Sequence, residues 1–299
     1  MLSGPIVVTG ASGFVGSHVS ERARSRGLDV HGTTGDLREA GVADRAIAAA
    51  RPAAVVHLAA PPRTGGGSRL ELLADELRMA AGVIDAVARH APEAPVLIPG
   101  SAGQYGMGEP DPLRETSPTR PVSAYGTVKC ALELACVSEP LRAGVRVIWA
   151  RSFNHVGPGQ GLDAPIPAWA RQVAAAERAG GGVLRTGKLD VVRDFLDVRD
   201  VADAYLDLVA SGAAGVVNVG SGDGVTLTEV VEHLVGAADV EVALERDPAL
   251  ERSVDPPVVV ADIARLRELT GFERRIPLAE SLRDVLAEWR ARAAAEAVR

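Results

Sequence analysis

The sequence predicts an α/β protein: a mostly parallel, doubly wound sheet with a smaller C-terminal domain assembled from separate stretches of chain. Three observations carry this. Short β-branched runs alternate with helical stretches from Pro5 to Val219. The first of these runs leads straight into a glycine-spaced turn and then a helix. Between Arg151 and Gly187 the alternation lapses into Gly- and Pro-rich sequence, so the chain leaves the sheet there and later returns. We therefore expect residues 1–154 and 191–222 to form the sheet domain, and residues 155–190 and 223–299 the smaller, discontinuous one.

Pro5-Ile-Val-Val-Thr9 is a short apolar run with β-branched residues, a candidate buried strand. Gly10-Ala-Ser-Gly13-Phe-Val-Gly16 follows, then helical sequence from Ser17 to Arg26, with Gly27 as a stop. Strand, glycine turn and helix in that order can set backbone N–H groups and a helix N-terminus against a pyrophosphate. The spacing is G-x-x-G-x-x-G rather than G-x-G-x-x-G, and a plain tight turn would show the same glycines. Leu28 to Thr34 reads as the second strand. A Rossmann domain selecting NAD usually ends this strand with Asp or Glu for the ribose hydroxyl. Here it ends His31-Gly-Thr33-Thr34, with Arg38 the nearest arginine. The missing carboxylate removes a repulsion against a 2′-phosphate and leans toward NADP. Asp36-Leu37 follows, either an adenine-contacting pair or a polar turn.

Ala53 to Ala60 is another buried strand, and His57 reads as a strand-end residue held by local hydrogen bonds rather than a catalyst. Pro61 to Ser68, rich in Pro and Gly, is a loop that either covers a site or links two elements. Leu70 to Ala91 is a long helix, and Pro95 to Pro99 the next strand. That strand delivers Gly100-Ser101 to the C-terminal edge, where open α/β sheets bind ligands. Past a proline-bearing loop, Asp111 to Pro121, lies Ser-Ala-Tyr125-Gly-Thr-Val-Lys129. Val145 to Ala150 and Val216 to Val219 are further strands, Val201 to Ala210 a helix, Thr226 a helix cap, and Ala279 to Arg299 an amphipathic terminal helix.

If Tyr125 to Lys129 is helical, the phenol and the ammonium share one face, one turn apart. An isolated tyrosine titrates near pH ~10 and is a poor acid or base at neutrality. A cation close by favours the phenolate and moves it toward the range useful for proton transfer. A hydroxyl such as Ser101 could then hold the same substrate oxygen beside the phenol.

At 299 residues, 47% hydrophobic and 24% charged, the chain has ample apolar sequence for a large core. Aromatics are only 3%, so that core must be mostly Val, Leu, Ile and Ala. A net charge of −7 argues against nucleic acid or an anionic membrane surface as the main partner, while leaving room for a local arginine cluster on a phosphate. Cys130 and Cys136 fall on one helix and point in different directions, as free thiols in a reducing cytosol would. No metal site is expected. The start of the chain lacks a signal pattern, and no run approaches the ~20 residues of a membrane helix, so a cytoplasmic protein is expected.

Several motifs fall into one set: Thr9-Gly-Ala-Ser-Gly-Phe-Val-Gly16, His57-Leu-Ala-Ala60, Ser101 four before Tyr105-Gly106, and Tyr125-Gly-Thr-Val-Lys129. Further on are Arg151-Ser-Phe-Asn154-His-Val-Gly157-Pro-Gly-Gln160, Arg193-Asp-Phe-Leu-Asp197-Val-Arg-Asp200, and Asn218-Val-Gly-Ser-Gly222. Together they resemble the extended short-chain dehydrogenase/reductase superfamily in its nucleotide-sugar epimerase/dehydratase branch, over essentially the whole chain. Within it, Arg252-Ser-Val-Asp255 and Ile276-Pro-Leu-Ala-Glu280 point to the group of GDP-mannose 4,6-dehydratases and GDP-4-keto-6-deoxymannose reductases.

The resemblance implies an NAD(P)-binding Rossmann domain, a sugar-nucleotide-binding domain, and Ser101, Tyr125 and Lys129 as the catalytic set. It implies cofactor contacts at Gly10, Ser12, Gly13, Phe14, Val15, Gly16, Thr33, Asp36, Leu37, Leu58, Ala59 and Ala60, with Tyr125 and Lys129 adding to them. Substrate contacts would be Ser101, Asn154, Arg193 and Arg252. A guanidinium fork suits phosphate oxygens, although either arginine can equally pair with a nearby Asp. The departures decide among reactions. Members that eliminate water place acidic residues directly after the Ser101 position, and here stand Ala102 and Gly103, which can neither take nor give a proton. Glu76 stands where the family commonly has Asn, and Ser253 where it often has Pro. The expected activity is NAD(P)H-dependent reduction of the C4 ketone of a nucleoside-diphosphate-4-keto-6-deoxyhexose, a GDP-sugar favoured. The alternatives are an NAD-dependent C4 epimerase and a non-catalytic dinucleotide sensor. The family also implies a homodimer through the helices Leu70 to Ala91 and Ala124 to Glu139.

Overall fold

The computed structural model describes residues 2–61, 68–107, 112–138, 144–251 and 254–297. Its main sheet has six parallel strands: β1 (Ile6–Thr9), β2 (Val30–Gly32), β3 (Ala54–His57), β4 (Val96–Pro99), β5 (Val147–Ser152) and, later in the chain, β9 (Gly215–Val219). Their spatial order is β2-β1-β3-β4-β5-β9, with the direction of winding reversing between β1 and β3. Alternate residues of each strand face opposite sides, which the sequence shows as unbroken apolar runs. On β1, Ile6 and Val8 join the core beneath α1 (Phe14–Ser25) and α6 (Val198–Ala210). Val7 joins the opposite core beneath α2 (Val42–Ala50), α3 (Arg69–His90) and α4 (Ala124–Val137). These side chains are all but fully buried, and each contributes roughly 1.5–3 kcal/mol of hydrophobic stabilisation.

Helix α3 starts where its sequence says it should. Ser68 accepts from the Glu71 N–H, and the Glu71 carboxylate accepts from the Ser68 N–H at 2.6 Å. The second strand is shorter than expected, three residues rather than Leu28 to Thr34, because only Val30 to Gly32 find β1. Of the loop expected at Pro61 to Ser68, residues 62–67 lie outside the described residues.

Beyond β5 the chain builds β6 (Asn154–Val156), α5 (Pro165–Ala179), β7 (Gly182–Thr186) and β8 (Val192–Asp197). After β9 come β10 (Gly224–Thr226), α7 (Leu227–Gly236), β11 (Val242–Arg246), β12 (Val258–Val259), α8 (Ala264–Thr270) and α9 (Leu278–Ala297). A third core lies here, with Trp169 of α5, Leu184 of β7, Val230 and Leu234 of α7, and Leu282, Val285 and Leu286 of α9. Residues 191–222 do not all belong to the large sheet: β9 pairs with β5, whereas β8 pairs with β6, β10 and β12. The buried carboxylate of Asp194 fixes that choice by accepting from the N–H groups of Ser221, Gly222 and Ala261 at 2.7, 3.0 and 3.1 Å. Among the described residues no helix is long and apolar enough to cross a membrane.

Candidate active site

All six strands of the large sheet end at the same edge, and a cavity of about 900 Å³ opens there. One wall is the turn between β1 and α1. Gly10 holds φ +66°, and a Cβ on it would come within 2.8 Å of the Ala59 nitrogen. At Gly16 a Cβ would lie 2.0 Å from the Gly10 carbonyl oxygen, so neither position admits a side chain. Helix α1 begins at Gly13 with no side-chain cap and no acidic residue in its first turn. The N–H groups of Phe14, Val15 and Gly16 therefore have no partner inside the helix, and all three residues line the cavity. Bare N–H groups at a helix N-terminus free of carboxylates fit a dinucleotide pyrophosphate.

The facing wall carries Ser101, Tyr125 and Lys129. Ser101 ends the strand extension after β4 and caps a short turn at Ala102–Gln104, its Oγ accepting from the Gly103 N–H at 3.1 Å. Ser123 caps α4, which puts Tyr125 in the first turn and Lys129 in the next. The Lys129 ammonium lies 5.7 Å from the Tyr125 ring centroid. Gly126 sets how near this helix comes to Ser101: a Cβ there would stand 2.3 Å from the Gly103 carbonyl oxygen. Behind the pair, Lys129 Nζ donates to Glu76 Oε2 at 2.7 Å, both side chains being about nine-tenths buried. The departure at position 76 is thus a counter-ion pressed against Lys129.

His57 is a strand-end residue, as expected, with Nδ1 2.7 Å from Thr9 Oγ1. Burial first, then the Lys129 cation beside it, push its pKa down to about 4. His155 in β6 is pushed to about 4 by burial alone. Both imidazoles are neutral in the folded protein at neutral pH, while in the unfolded chain they titrate near ~6.5. Their contribution to stability is therefore complete above about pH 6.5 and fades as pH falls toward 4, where the unfolded state holds more protons. Each is expected to cost up to roughly 3 kcal/mol across that window. Urea denaturation at a series of pH values measures it, and a flat profile from 6.5 to 4 would contradict it.

Of the residues singled out in the sequence, the cavity wall brings together Gly10, Gly13, Phe14, Val15, Gly16, Leu58, Ala59, Ala60, Ser101, Tyr125, Lys129, Asn154 and Arg193. Ser12, Thr33, Asp36 and Leu37 lie outside it. Leu37 is only 7% exposed and packs into the core beneath α2 and α3. Asp36 is pinned by Arg38 at 2.6 Å, which holds its carboxyl down at about 2, and Arg38 also reaches Asp75 at 3.3 Å. Asn154 donates its amide N–H to the Asp194 carbonyl at 2.9 Å. Arg193 pairs with Asp255, itself in the wall. Arg252 lies outside the described residues. His155, Gln160 and Tyr205, for which the sequence suggests no role, also line the cavity. Tyr205 sits in the middle of α6, its phenol 2.5 Å from Ser152 Oγ and its pKa raised by burial, so it reads as core from pattern alone. Among the described residues no cluster could hold a metal ion.

A glycine turn beneath an uncapped helix, facing a Ser–Tyr–Lys set across one cavity, defines an enzyme of the short-chain dehydrogenase/reductase type. Residues 6–220 match the NAD dependent epimerase/dehydratase family, and the chain belongs to it. Among its relatives, GDP-6-deoxy-D-mannose reductase of Pseudomonas aeruginosa is 39% identical over 183 residues, which is 60% of this chain and 60% of that protein. UDP-glucose 4-epimerase of Azospirillum brasilense is 28% identical over 89% of this chain and 86% of its own. The structure of RMD from Pseudomonas aeruginosa complexed with NADPH superposes with a TM-score of 0.86 at 32% identity, covering 97% of this chain and all of that one.

Proposed function

We propose that this protein reduces the C4 ketone of a nucleoside-diphosphate-4-keto-6-deoxyhexose, a GDP-sugar favoured, using NADPH or NADH. One observation carries the proposal: Ser101, Tyr125 and Lys129 share a wall whose next two residues, Ala102 and Gly103, offer no acid or base. Elimination of water needs such a pair, whereas reduction of a ketone needs one proton donor at the oxygen. The bound dinucleotide supplies the hydride. Tyr125 gives its hydroxyl proton to the C4 oxygen as that atom takes up charge, and the ketone becomes an alcohol. The Ser101 hydroxyl donates a hydrogen bond to the same oxygen, acting where charge develops. Lys129 stabilises the phenolate left on Tyr125, and Glu76 holds Lys129 in place.

The nicotinamide relative bound to NADPH and the absence of a carboxylate at Thr33 and Thr34 support NADP as the preferred cofactor. A homodimer through α3 and α4 forms part of the proposal, supported by Leu70, Leu77 and Leu134, which are 76%, 39% and 75% exposed on those helices. A single-chain mass in light scattering would remove that part. The epimerase relative keeps a second reading in view, a C4 epimerase that oxidises and re-reduces its sugar on a retained NAD. To separate the two, the purified protein is denatured and the nucleotide it releases identified. NADPH or NADH is then added with a 4-keto-6-deoxy sugar nucleotide and the reduced-nicotinamide absorbance followed. Little retained cofactor and substrate-dependent loss of absorbance is the expected result. Stoichiometric retained NAD with no net consumption would make it an epimerase.

A further inference from the structure

Behind Ser101 runs a chain of polar side chains that the chemistry above does not use: Gln104, Glu133 and Arg151. None of the three lies in the cavity wall. Gln104 closes the turn that Ser101 caps and is fully buried. Its amide oxygen accepts from the Ser101 N–H at 3.0 Å and from Trp149 Nε1 on β5 at 3.1 Å. Gly100 leaves room for both bonds, since a Cβ there would stand 2.2 Å from Trp149 Nε1 and 2.6 Å from Gln104 Oε1. The Gln104 amide nitrogen donates to Glu133 Oε2 at 2.7 Å. Glu133 follows Lys129 by one further turn of α4. Arg151, near the end of β5, grips its carboxylate with two bonds, from Nε at 2.8 Å and from Nη2 at 2.6 Å. The Arg151 and Glu133 side chains are 6% and 15% exposed. Donors at one end and a carboxylate at the other suit residue 104 to an uncharged amide, which offers an acceptor and a donor on one planar head. Glutamate there would set two carboxylates together, and an apolar chain would leave two buried N–H groups without an acceptor.

We propose that Gln104, Glu133 and Arg151 are positioning residues that fasten the Ser101 turn to the helix carrying Tyr125 and Lys129. The Gly103–Gly126 contact limits how near the two pieces come, and the amide bridge keeps that contact closed. The inference rests on the proposed function for the task of Ser101, since a turn that lifts away takes the hydroxyl off the C4 oxygen. A misplacement of about 1 Å can cost roughly 10²-fold in rate.

Three variants separate positioning from packing: Gln104→Glu, Glu133→Gln, and the two combined. Gln104→Glu sets one carboxylate against another, and Glu133→Gln removes the charge that answers Arg151. The reciprocal pair restores one amide, one carboxylate and a donor–acceptor bond between them. Hydrogen exchange of segment 100–106 is followed by mass spectrometry, and kcat, KM and the Kd for NADPH are measured beside it. Each single variant is expected to exchange faster at 100–106 and to lower kcat about tenfold or more, with KM and Kd within about twofold. The reciprocal pair should recover most of both. In a Ser101→Ala background neither single substitution should lower kcat further, because residues acting through one group do not add. Should Glu133→Gln fail to fold, Gln104→Glu and the reciprocal pair carry the same comparison. Unchanged exchange at 100–106 overturns the proposal, as does a kcat loss equally large in the Ser101→Ala background. A lowered Tm with kcat intact does so too, being the mark of a purely structural role. If the wild-type protein turns over no ketosugar, the proposed activity falls, while the exchange pattern still decides the bridge.

Discussion

Tyr125→Phe is expected to lower kcat by roughly 10²–10⁴-fold, the usual contribution of a positioned general acid. The substitution deletes one oxygen and leaves the ring in place on α4, so the cavity keeps its shape. The Kd for NADPH should stay within about twofold, because the glycine turn and the N-terminus of α1 are untouched. Ser101 cannot take over the proton. Its Oγ accepts from the Gly103 N–H, its own proton serves only to hold the C4 oxygen, and an aliphatic hydroxyl is a far weaker acid than a phenol. Lys129 already donates to Glu76 Oε2 at 2.7 Å. Steady-state turnover of a 4-keto-6-deoxy sugar nucleotide and a separate NADPH titration check both halves. Near-normal turnover would remove Tyr125 from the chemistry. Adding Lys129→Met to Tyr125→Phe should cost little more than Tyr125→Phe alone, because residues that act as a unit do not add.

The largest expected effect on stability belongs to Glu76→Ala. Removing one partner of a buried ion pair strands the other charge, and such changes cost about 3–5 kcal/mol. The Glu76 and Lys129 side chains are 8% and 11% exposed, which puts the pair in that class rather than among surface pairs worth about 0–1 kcal/mol. Urea denaturation of the variant measures it. A loss below about 1 kcal/mol would mean that water reaches the pair and screens it. Glu76→Leu combined with Lys129→Met should recover most of the stability, since a buried pair can be replaced by apolar groups at little cost. That double variant should nevertheless be inactive. The contrast separates what the pair does for the fold from what its cation does for Tyr125.

Legibility in the sequence followed the range of the interactions. The β1–α1 turn spans seven residues from Gly10 to Gly16, and Tyr125 and Lys129 lie one helical turn apart. Both were readable because local geometry alone brings their atoms together. Strand alternation likewise announced the large sheet. Glu76 and Lys129 are 53 positions apart, and nothing in the periodicity of α3 shows that its carboxylate turns toward α4. The partners of β8 are hidden for the same reason, since the Asp194 carboxylate beside them collects donors from positions 221, 222 and 261. Leu37 packs into the core, and an apolar residue in a loop looks the same in sequence whether it meets a ligand or a core.

The backbone contact between Gly103 and Gly126 has a consequence for how such an enzyme can be altered. With Gly126 held against the turn that Ser101 caps, the spacing of the two hydroxyls is set by main chain, and neighbouring side chains have little means of retuning it. The opposite wall is built otherwise, from the 154–160 loop and from Arg193 paired to Asp255, where side chains do the reaching. Under the proposed function, chemistry and substrate choice would thus lie on separate pieces of chain. A library aimed at new sugars belongs at 154–165 and around Asp255, and one that strays into 100–126 should return mostly dead proteins.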